Sequence, residues 1–557
     1  MPGISISLLV NLCLYCLCFL PLPALSQIPV APGRYRIEFT DKNFSSYSIE
    51  KPAEFLSQRA IERRLKQNIP VTGDDLPVSQ YYIDSLQTLG FEVLHTSKWF
   101  NSAVIRCSGE DTSTLRNLAF VKDTRPVLKE IAAADTTHAD SLGRLFSLIF
   151  EKESTEPVSY SAPYEYYGQA AIQTGMLNGH VLHHNGFRGK GILIAVIDAG
   201  FYKADELSGF ERMRSEGRLK TIRNFTTDAG IFGVNTHGTN VLSIIAADLP
   251  GQMVGSAPDA DYVLIRSEEI GGEYIVEEDN WIAAVEYADS IGVDLISCSL
   301  GYSVFDDPHQ NHCASELDGR TTLASQAATI AARKGMLLCL SAGNEGDMPW
   351  KYISVPSDAD SIVTIGAVDR YRKLASFSSI GYTTDGRIKP DLTAMGKRTS
   401  YQGSSGDIIS ANGTSYSTPL LAGFMACLWQ AFPEKNNQEI IGMVKQTADR
   451  YHHPDSLYGY GIPDFSRLLE HPETDRMVLS PALFSDSFTV YLSPAKHGNI
   501  MVRILTVDGR PVYDHQHYLP GYDIYKLQID GDPLEAGMYF VEVRTESNLF
   551  IDKIVKL

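Results

Sequence analysis

The 557-residue sequence lacks an excess of positive charge: its 48 Lys and Arg are outnumbered by 67 Asp and Glu, for a formal net charge of −19. Proteins bind nucleic acids and anionic membrane surfaces through clustered Lys and Arg. We therefore expect no nucleic-acid partner. Beyond its N-terminal segment the sequence also lacks an apolar run long enough to span a bilayer, so no later transmembrane helix is predicted.

Cysteine is scarce as well, with eight in the chain. Three lie in the N-terminal segment, and the other five are an odd number without the spacing of a metal site. Three of these five lie within apolar runs, where a buried free thiol is expected: Cys298, Cys339 and Cys427. The remaining two are Cys107 and Cys313, and the sequence leaves any disulfide pairing open.

Residues 1–26 are expected to be a signal peptide. An apolar run is followed by Ala24-Leu25-Ser26, which suits signal-peptidase cleavage before Gln27. A membrane anchor is the alternative, but the run is short and prolines interrupt it. The mature protein is therefore predicted to be exported.

The length predicts three or four folding units, since one domain has about 150 residues. Residues 27–130 alternate strand-like and helix-like patterns, which predicts a small α+β domain. Residues 131–165 have mixed character with small and polar residues, and we interpret them as a connector that can be cut. Strand and hairpin patterns around the turn Asp508-Gly509 predict a β-sandwich over residues 476–557.

Residues 166–470 predict an α/β domain built on a doubly wound, mostly parallel sheet. Continuous apolar strands such as ILIAVID and MLLCLSAGN alternate with amphipathic helices that end at glycine. Strands buried on both faces and joined by helical crossovers are typical of parallel sheets. Catalytic groups in such sheets gather at the carboxyl ends of the strands.

Three polar residues of this domain could form an acyl-transfer site. Asp198 ends the strand ILIAVID, His237 opens the helix NTHGTNVLSIIAA, and Ser415 opens the hydroxyl-rich helix SANGTSYSTPLLAG. A serine hydroxyl becomes a nucleophile when an imidazole takes its proton, and a carboxylate fixes the tautomer of that imidazole. Each also has an ordinary explanation: a strand-end aspartate, a structural histidine and a helix-capping hydroxyl. Pro419 fits the capping explanation if it lies in the first helical turn.

A fourth residue, Asn344 in LLCLSAGNEG, follows another strand end inside a glycine-flanked turn. Its amide could donate to an oxyanion, together with the backbone N–H of Ser415. In this order the motifs VIDAG, HGT, SAGN and GTSYSTP resemble the subtilases, the subtilisin-like serine peptidases. The resemblance implies an endopeptidase that works through an acyl-enzyme, with Asp198, His237 and Ser415 as its triad and Asn344 as oxyanion donor.

The same resemblance implies a substrate site. The segment SCSLGY matches the strand that subtilases use to pair with an extended peptide, so Ser299, Leu300 and Gly301 are expected to line the cleft. An ordinary sheet strand is the alternative. Ser354 is expected near the base of the main side-chain pocket.

Residues 27–130 are similar in size and pattern to the subtilase propeptide, which assists folding, inhibits the active site and is cut away. The motifs TVDGRPVY, LEAGMYFVEV and KIVKL resemble the sorting domain of the type IX secretion pathway of Gram-negative bacteria, with a passive accessory sandwich as the alternative. The expected partners are peptide or protein substrates, the chain's own propeptide and the secretion machinery. We expect a monomer, extracellular or on the cell surface, exported through the periplasm.

No organic cofactor is expected, and the metal content is left open. His180 and His184 lie one helical turn apart, with His183 beside them, but the sequence places no acidic ligand near them and favours an exposed or capping role. The acidic run 268–279 could bind calcium, as many subtilases do. It also suits the first turn of the following helix.

The sequence departs from the subtilase pattern beside the chemistry, at Ala199 and at Tyr416-Ser417. These changes leave substrate preference and rate open. Two other functions are weighed against an endopeptidase: a catalytically silent, subtilase-like surface protein that binds peptides, and an acyl hydrolase acting on esters. The first is opposed by the presence of all four chemical groups, and the second by the peptide-pairing segment.

Overall fold

The computed structural model describes residues 33–107, 112–128, 163–227, 230–469, 476–481, 483–493, 498–519, 525–545 and 548–557. The predicted signal peptide and residues 131–162 of the predicted connector lie outside these ranges. Within them, no helix has the length and apolar character needed to cross a membrane.

The N-terminal unit is an α+β domain, as predicted. Its antiparallel sheet has the strand order β2-β3-β1-β4, and Ile37, Leu86 and Ile105 lie at the centre of its core. The strands are β1 (Gly33–Phe39), β2 (Glu92–Ser97), β3 (Ser102–Cys107) and β4 (Val121–Leu128). The helices are α1 (Gln58–Lys66), α2 (Gln80–Thr88) and α3 (Thr112–Arg116).

The central unit contains a seven-stranded parallel sheet, which confirms the predicted fold class. The strand order is β15-β12-β11-β10-β5-β9-β6. These strands are β5 (Leu193–Asp198), β6 (Leu219–Asn224), β9 (Asp261–Arg266), β10 (Leu295–Cys298), β11 (Leu337–Ser341), β12 (Val363–Val368) and β15 (Leu392–Met395). Three antiparallel ribbons accompany the sheet: β7 (Asp248–Leu249) with β8 (Met253–Val254), β13 (Gly381–Tyr382) with β14 (Ile388–Lys389), and β16 (Thr399–Gln402) with β17 (Ile408–Ala411).

Helices cover both faces of this sheet because the apolar strands have no polar face. Alternate residues of one strand enter different cores: Ile194 and Val196 pack on one side, Ala195 and Ile197 on the other. The helices are α4 (Tyr164–Tyr167), α5 (Ala171–Met176), α6 (His180–His184), α7 (Glu211–Ser215), α8 (His237–Ala246), α9 (Val276–Ile291), α10 (Leu323–Arg333), α11 (Thr414–Ala431) and α12 (Asn437–Thr447). Short 3₁₀ segments lie at Pro52–Glu54, Gly73–Asp75, Ser208–Phe210, Pro308–Gln310, Ala314–Glu316 and Phe465–Leu468.

The N-terminal unit docks on the face of the central unit that carries α9 and α10. The contact is built from buried charges around Asp289, near the end of α9. Its carboxylate lies 2.6 Å from Arg63, and 2.9 Å from both Arg64 and Lys98. Glu286, one turn earlier, accepts hydrogen bonds from Ser97 and from two backbone N–H groups of the N-terminal unit. The two units therefore share a solvent-excluded interface with a buried charge cluster. Apolar packing of Val104, Val127 and Leu128 against Val276 lies in the same interface.

The C-terminal unit is the predicted β-sandwich. Its two sheets, β18-β20-β23 and β19-β25-β24-β21-β22, share one apolar core. The turn Asp508-Gly509 joins β21 to β22, and Tyr539, Val541 and Val543 face inward as their alternation predicts. The strands are β18 (Arg476–Ser480), β19 (Leu483–Phe484), β20 (Ser487–Ser493), β21 (Gly498–Thr506), β22 (Pro511–Leu519), β23 (Tyr525–Asp530), β24 (Gly537–Arg544) and β25 (Leu549–Lys556).

Candidate active site

Three adjacent strands deliver polar residues to one edge of the parallel sheet. Asp198 is the last residue of β5, Ser299 directly follows β10, and Asn344 lies three residues beyond β11. The order β11-β10-β5 makes these strand ends neighbours. The sheet therefore gathers side chains that are far apart in sequence, as expected at the carboxyl ends of parallel strands.

Asp198 and His237 form a hydrogen-bonded pair. Asp198 is fully buried, and its Oδ1 lies 2.8 Å from Nδ1 of His237. His237 is the first residue of α8, as predicted, and the next residue is Gly238. A Cβ at Gly238 would lie 2.3 Å from the Gly200 carbonyl oxygen, so only glycine lets the helix start this close to the end of β5. The sequence HG thus suits the close approach of the imidazole to the carboxylate.

The environment of His237 favours its protonated form. Burial alone would lower the pKa of His237, but the charge of Asp198 and the hydrogen bond to it outweigh burial and raise that pKa above its usual value of 6.5. A carboxylate bonded to Nδ1 also selects the tautomer whose Nε2 is free of hydrogen and able to accept a proton.

Ser415 is the second residue of the 18-residue helix α11 and is almost completely buried. The neighbouring hydroxyls do not cap this helix. Ser417 and Thr418 both donate back to the carbonyl of Thr414, at 3.0 and 2.8 Å, and Gly413 is the N-cap residue. The capping explanation of the hydroxyl-rich sequence is therefore wrong for Ser417 and Thr418.

The expectation that Pro419 lies in the first turn of α11 is also wrong, because Pro419 is the sixth residue of the helix. A residue with an N–H at this position would bond to the Ser415 carbonyl four residues earlier. Proline has no such donor, and the Ser415 carbonyl instead accepts a hydrogen bond of 2.9 Å from the hydroxyl of Ser299. In return the Ser415 hydroxyl donates to the Ser299 carbonyl at 3.4 Å. Ser299 therefore connects the end of β10 to the helix that carries Ser415.

Asn344 lies beside the start of the same helix. Its Oδ1 accepts from the backbone N–H of Thr414 at 2.8 Å and from the Thr414 hydroxyl at 3.1 Å. Because a backbone N–H can only donate, these contacts identify the acceptor end of the carboxamide and leave Nδ2 as its donor. The Thr414 hydroxyl also contacts the backbone of Gly343, with its N–H at 3.2 Å and its carbonyl at 3.1 Å. Thr414 therefore orients Asn344.

The structure places the sequence-predicted residues as follows. Asp198 contacts His237, Ser415 contacts Ser299, and Asn344 contacts Thr414, the residue before Ser415. Tyr416, the residue after Ser415, links this helix to the Asp198–His237 pair, because its ring centroid lies 6.4 Å from that of His237. The predicted substrate residues at 299–301 lie just beyond the end of β10 rather than within it.

Sequence reasoning missed the role of Thr414, although it lies inside the motif GTSYSTP and directly precedes Ser415. A hydroxyl next to a candidate catalytic residue is a usable signal for a side chain that supports it. Which groups that hydroxyl contacts depends on tertiary structure.

The three histidines of α6 have a structural role. His183 contacts the Tyr167 hydroxyl at 2.9 Å and the Ser256 carbonyl at 3.0 Å, and burial lowers its pKa to about 3. Burial also lowers the pKa of His180 to about 4. His183 and His184 are buried, so the expected exposed or capping role is wrong. Packing therefore accounts for this segment, and the lowered pKa values of His180 and His183 keep these two imidazoles neutral.

Three residues of the acidic run lie in the first turn of α9: Glu277, Glu278 and Asp279. Glu277 accepts hydrogen bonds of 2.9 Å from the backbone N–H groups of Glu269 and Tyr274. Within the part of the chain that the structure describes, no group of three or more His, Cys, Asp or Glu is arranged to hold a metal ion. Cys298, Cys339 and Cys427 are buried free thiols, as predicted.

Three segments of the chain match known protein families. Residues 189–461 match the subtilase family of peptidases (peptidase S8), and residues 34–141 match the peptidase S8 propeptide domain of Bacteroidota. Residues 481–557 match the secretion system C-terminal sorting domain.

Individual proteins resemble parts of this chain. The chain is 30% identical over 279 residues to the thermophilic serine proteinase of Bacillus sp. (strain AK1), covering 48% of this chain and 59% of the relative. It is 27% identical over 304 residues to the serine protease AprX of Bacillus subtilis (strain 168), covering 49% of this chain and 65% of that protein. The chain thus spans less than two thirds of either relative. The crystal structure of MycP1 from Mycobacterium smegmatis aligns with a TM-score of 0.41 and 20% identity, over 56% of this chain and 88% of that one.

Proposed function

We propose that this protein is a secreted serine endopeptidase that hydrolyses peptide bonds through an acyl-enzyme, because its residues 189–461 match the subtilase family of peptidases. The observation that carries the proposal is the hydrogen bond of 2.8 Å between buried Asp198 and His237, beside the helix that begins at Thr414 and carries Ser415. A carboxylate, an imidazole and a serine hydroxyl on neighbouring elements form the set required for nucleophilic catalysis.

In the proposed reaction, the Ser415 oxygen attacks the carbonyl carbon of the scissile bond while His237 Nε2 takes the hydroxyl proton. The leaving amine then receives that proton as the C–N bond breaks. Water attacks the resulting ester by the same route, which regenerates Ser415 and releases the acid. Asp198 stabilises the imidazolium at each stage, in agreement with the raised pKa of His237.

The proposed oxyanion site uses Asn344 Nδ2 and the backbone N–H of Ser415. Support comes from Thr414, which holds the carboxamide oxygen and leaves the amide nitrogen as the donor. Ser415 lies in the first turn of a long helix, where N–H groups have no partner within the helix and the helix dipole favours negative charge. Both features suit stabilisation of a tetrahedral oxyanion.

The proposed substrate is an extended peptide that pairs with residues 299–301. This segment directly follows β10 and contacts Ser415 through the two hydrogen bonds between Ser299 and Ser415. A peptide paired there would have its carbonyl carbon near the nucleophile. Main-chain pairing of this kind gives affinity for extended chains in general.

We propose that the N-terminal unit is an inhibitory propeptide and that the C-terminal sandwich directs export by the type IX pathway. The family matches and the buried charges beneath the N-terminal unit support the first role. The match to a secretion system sorting domain supports the second. The protein would then act as a monomer outside the cell after crossing the periplasm, without an organic cofactor.

The test is labelling of the exported, purified protein with a fluorophosphonate probe, followed by peptide mapping. Such a probe phosphonylates a serine only where its base and oxyanion site are assembled. We expect the label on Ser415 and none on Ser415→Ala. The rates of hydrolysis of an unfolded protein and of a simple ester are then compared, to establish whether the protein acts on peptide bonds.

Two results would contradict the proposal. A folded and exported protein that takes no label would be a binding protein with a subtilase fold. A labelled protein that hydrolyses esters and leaves polypeptides intact would be an acyl hydrolase of another kind.

A further inference from the structure

Tyr416 is a buried aromatic residue beside both the nucleophile and the base of the proposed site. It directly follows Ser415 in α11, and only 3% of its surface is exposed. Its ring centroid lies 6.4 Å from that of His237, and the planes of the two rings are inclined at 62°. Aromatic rings prefer such edge-to-face contacts, which depend on the orientation of both rings. Tyr416 therefore contacts the ring of the proposed base, and its burial leaves little of it for contact with a substrate.

A second aromatic ring, that of Tyr401 in β16, stacks on Tyr416. The two centroids lie 5.3 Å apart, and the planes are inclined at 27°. The residue after Tyr401 is Gln402, whose backbone N–H donates to the Ser243 hydroxyl of α8 at 2.9 Å. That hydroxyl donates in turn to the Asn240 carbonyl at 2.7 Å. The strand that carries Tyr401 is therefore tied to the helix that carries the proposed base.

The hydroxyl end of Tyr416 is anchored to the same helix. The side chain of Asn240 forms a hydrogen bond with the Tyr416 hydroxyl. Asn240 lies three residues after His237 in α8, so the two side chains share one face of the helix. Burial raises the pKa of Tyr416 above its usual value of 10.0, so the phenol stays neutral at physiological pH. One phenol thus contacts α8 at two points, with its ring at His237 and its oxygen at Asn240.

The orientation of the imidazole matters for the proposed proton transfer. Nδ1 of His237 contacts Asp198 at 2.8 Å, which holds one edge of the ring. Nε2 lies at the opposite edge and must face the Ser415 hydroxyl to accept its proton. A small misplacement of reacting groups lowers the rate steeply. A second ring that is itself fixed at both ends restricts rotation of the imidazole about the Nδ1 contact.

We propose that Tyr416 is a positioning residue, which is anchored by Asn240, backed by Tyr401 and holds His237 in the orientation that accepts the proton of Ser415. The inference rests on the proposed endopeptidase function and adds a residue to its machinery. Because the sequence departs from the subtilase pattern at Tyr416, this arrangement belongs to this chain and does not follow from the resemblance.

Two other roles for Tyr416 give different results. A wall of the substrate site would affect KM for peptides and would leave the reaction with a small probe unchanged. A residue that only fills space would affect stability and the fraction of competent enzyme, and would leave the rate of each competent molecule unchanged. A positioning residue lowers kcat and the rate of probe labelling by the same factor.

The experiment uses the exported, purified enzyme. The stoichiometry of labelling by a fluorophosphonate probe gives the concentration of competent sites, and the time course gives the labelling rate. Values of kcat and KM per competent site are measured with one fluorogenic peptide, selected from a mixed-sequence set by its cleavage with the parent. The variants are Tyr416→Phe, Asn240→Ala, the double variant and Tyr416→Leu.

We expect Tyr416→Phe and Asn240→Ala each to lower kcat about tenfold at an unchanged KM, and to slow labelling by the same factor. The double variant should lose no more than either single variant, because both changes break one hydrogen bond. Tyr416→Leu, which also removes the ring, should lose about 10² in kcat. The control is Tyr262→Phe in β9, which removes a buried hydroxyl that donates to the Ala257 carbonyl at 2.6 Å and should leave kcat unchanged.

Four results would overturn the inference. If Tyr416→Leu keeps the parent kcat per competent site, or if the loss is confined to KM, Tyr416 does not position the base. If the losses of Tyr416→Phe and Asn240→Ala multiply in the double variant, Asn240 does not act through the phenol. If Tyr262→Phe loses as much as Tyr416→Phe, the effect is a general loosening of the fold. If the parent takes no label and cleaves no peptide, the endopeptidase function fails together with the inference.

Discussion

Replacing Asp289 by asparagine should loosen the N-terminal unit from the central unit. Asp289 is completely buried, and three cations of the N-terminal unit contact its carboxylate: Arg63, Arg64 and Lys98. Burial alone would raise the pKa of Asp289, but these cations hold it well below its usual range, so the carboxylate is ionised in the docked state. Asparagine keeps the shape and removes the charge. Arg64 retains Asp75 as a partner at 2.9 Å.

The expected loss of docking free energy arises because Arg63, Arg64 and Lys98 stay buried after the carboxylate has been removed. Removing one partner of a buried ion pair costs about 3–5 kcal/mol. With about 1.4 kcal/mol for each factor of ten, the open state should become roughly 10² to 10³·⁵ times more populated. The isolated central unit should lose little stability, because Asp289 has no cation from its own unit among the described ion pairs. The substitution therefore weakens docking of the N-terminal unit rather than folding of the central unit.

Native-state hydrogen exchange measures this population. The Ser415→Ala background is expected to keep the chain uncut, and amides in α1 and β3 should exchange faster in Asp289→Asn by the factor given above. The matched control is Asp294→Asn, which removes an ion pair to Arg59, a residue 39% exposed, and should cost no more than about 1 kcal/mol. Equal acceleration in both variants, or none in either, would refute the assignment of docking energy to the buried charges.

Three further outcomes can be checked. Asn344→Ala should lower kcat by roughly 10² with little change in KM, a magnitude taken from oxyanion donors in this family, and an unchanged kcat would remove Asn344 from the mechanism. Because the imidazole must be neutral to accept a proton and its pKa is raised, kcat/KM of the parent should fall with decreasing pH through a midpoint above 6.5. In Asp198→Asn only burial still acts on the pKa of His237, so the midpoint should move below 6.5 and kcat/KM should be much lower at every pH. An unmoved midpoint would assign the titration to another group. Deleting residues 476–557 should preserve peptide hydrolysis and leave the enzyme in the periplasm, whereas normal export would contradict the sorting role.

The sheet shows how far local patterns extend. Its five central strands could be predicted because they are continuous apolar runs, which result from burial on both faces. The two edge strands were missed. In β6, LKTIRN is largely polar, and in β15 only four residues pair, so neither has the apolar run that marks a central strand. Their place in the sheet depends on pairing with β9 and β12, which are distant in sequence.

The start of α11 shows where local reasoning fails. Serine and threonine near a helix start predict capping, and proline predicts the first turn. In the structure Ser417 and Thr418 bond within the helix, and Pro419 lies in the second turn. The missing donor of Pro419 matters only because β10 delivers the Ser299 hydroxyl to the carbonyl that is left free. No local pattern contains that contact.

The sequence by itself determined the three folding units, the parallel sheet and the choice of Asp198, His237, Asn344 and Ser415 as candidate catalytic residues. These follow from the period of apolar residues and from motifs read within a few residues of each other. Tertiary structure alone decided which side chains meet. Strand order brought Asp198, Ser299 and Asn344 to one edge of the sheet, and packing of α11 against that edge placed Thr414 on Asn344 and Ser415 on Ser299. Such contacts join residues separated by tens to hundreds of positions, so their energies depend on the folded chain as a whole.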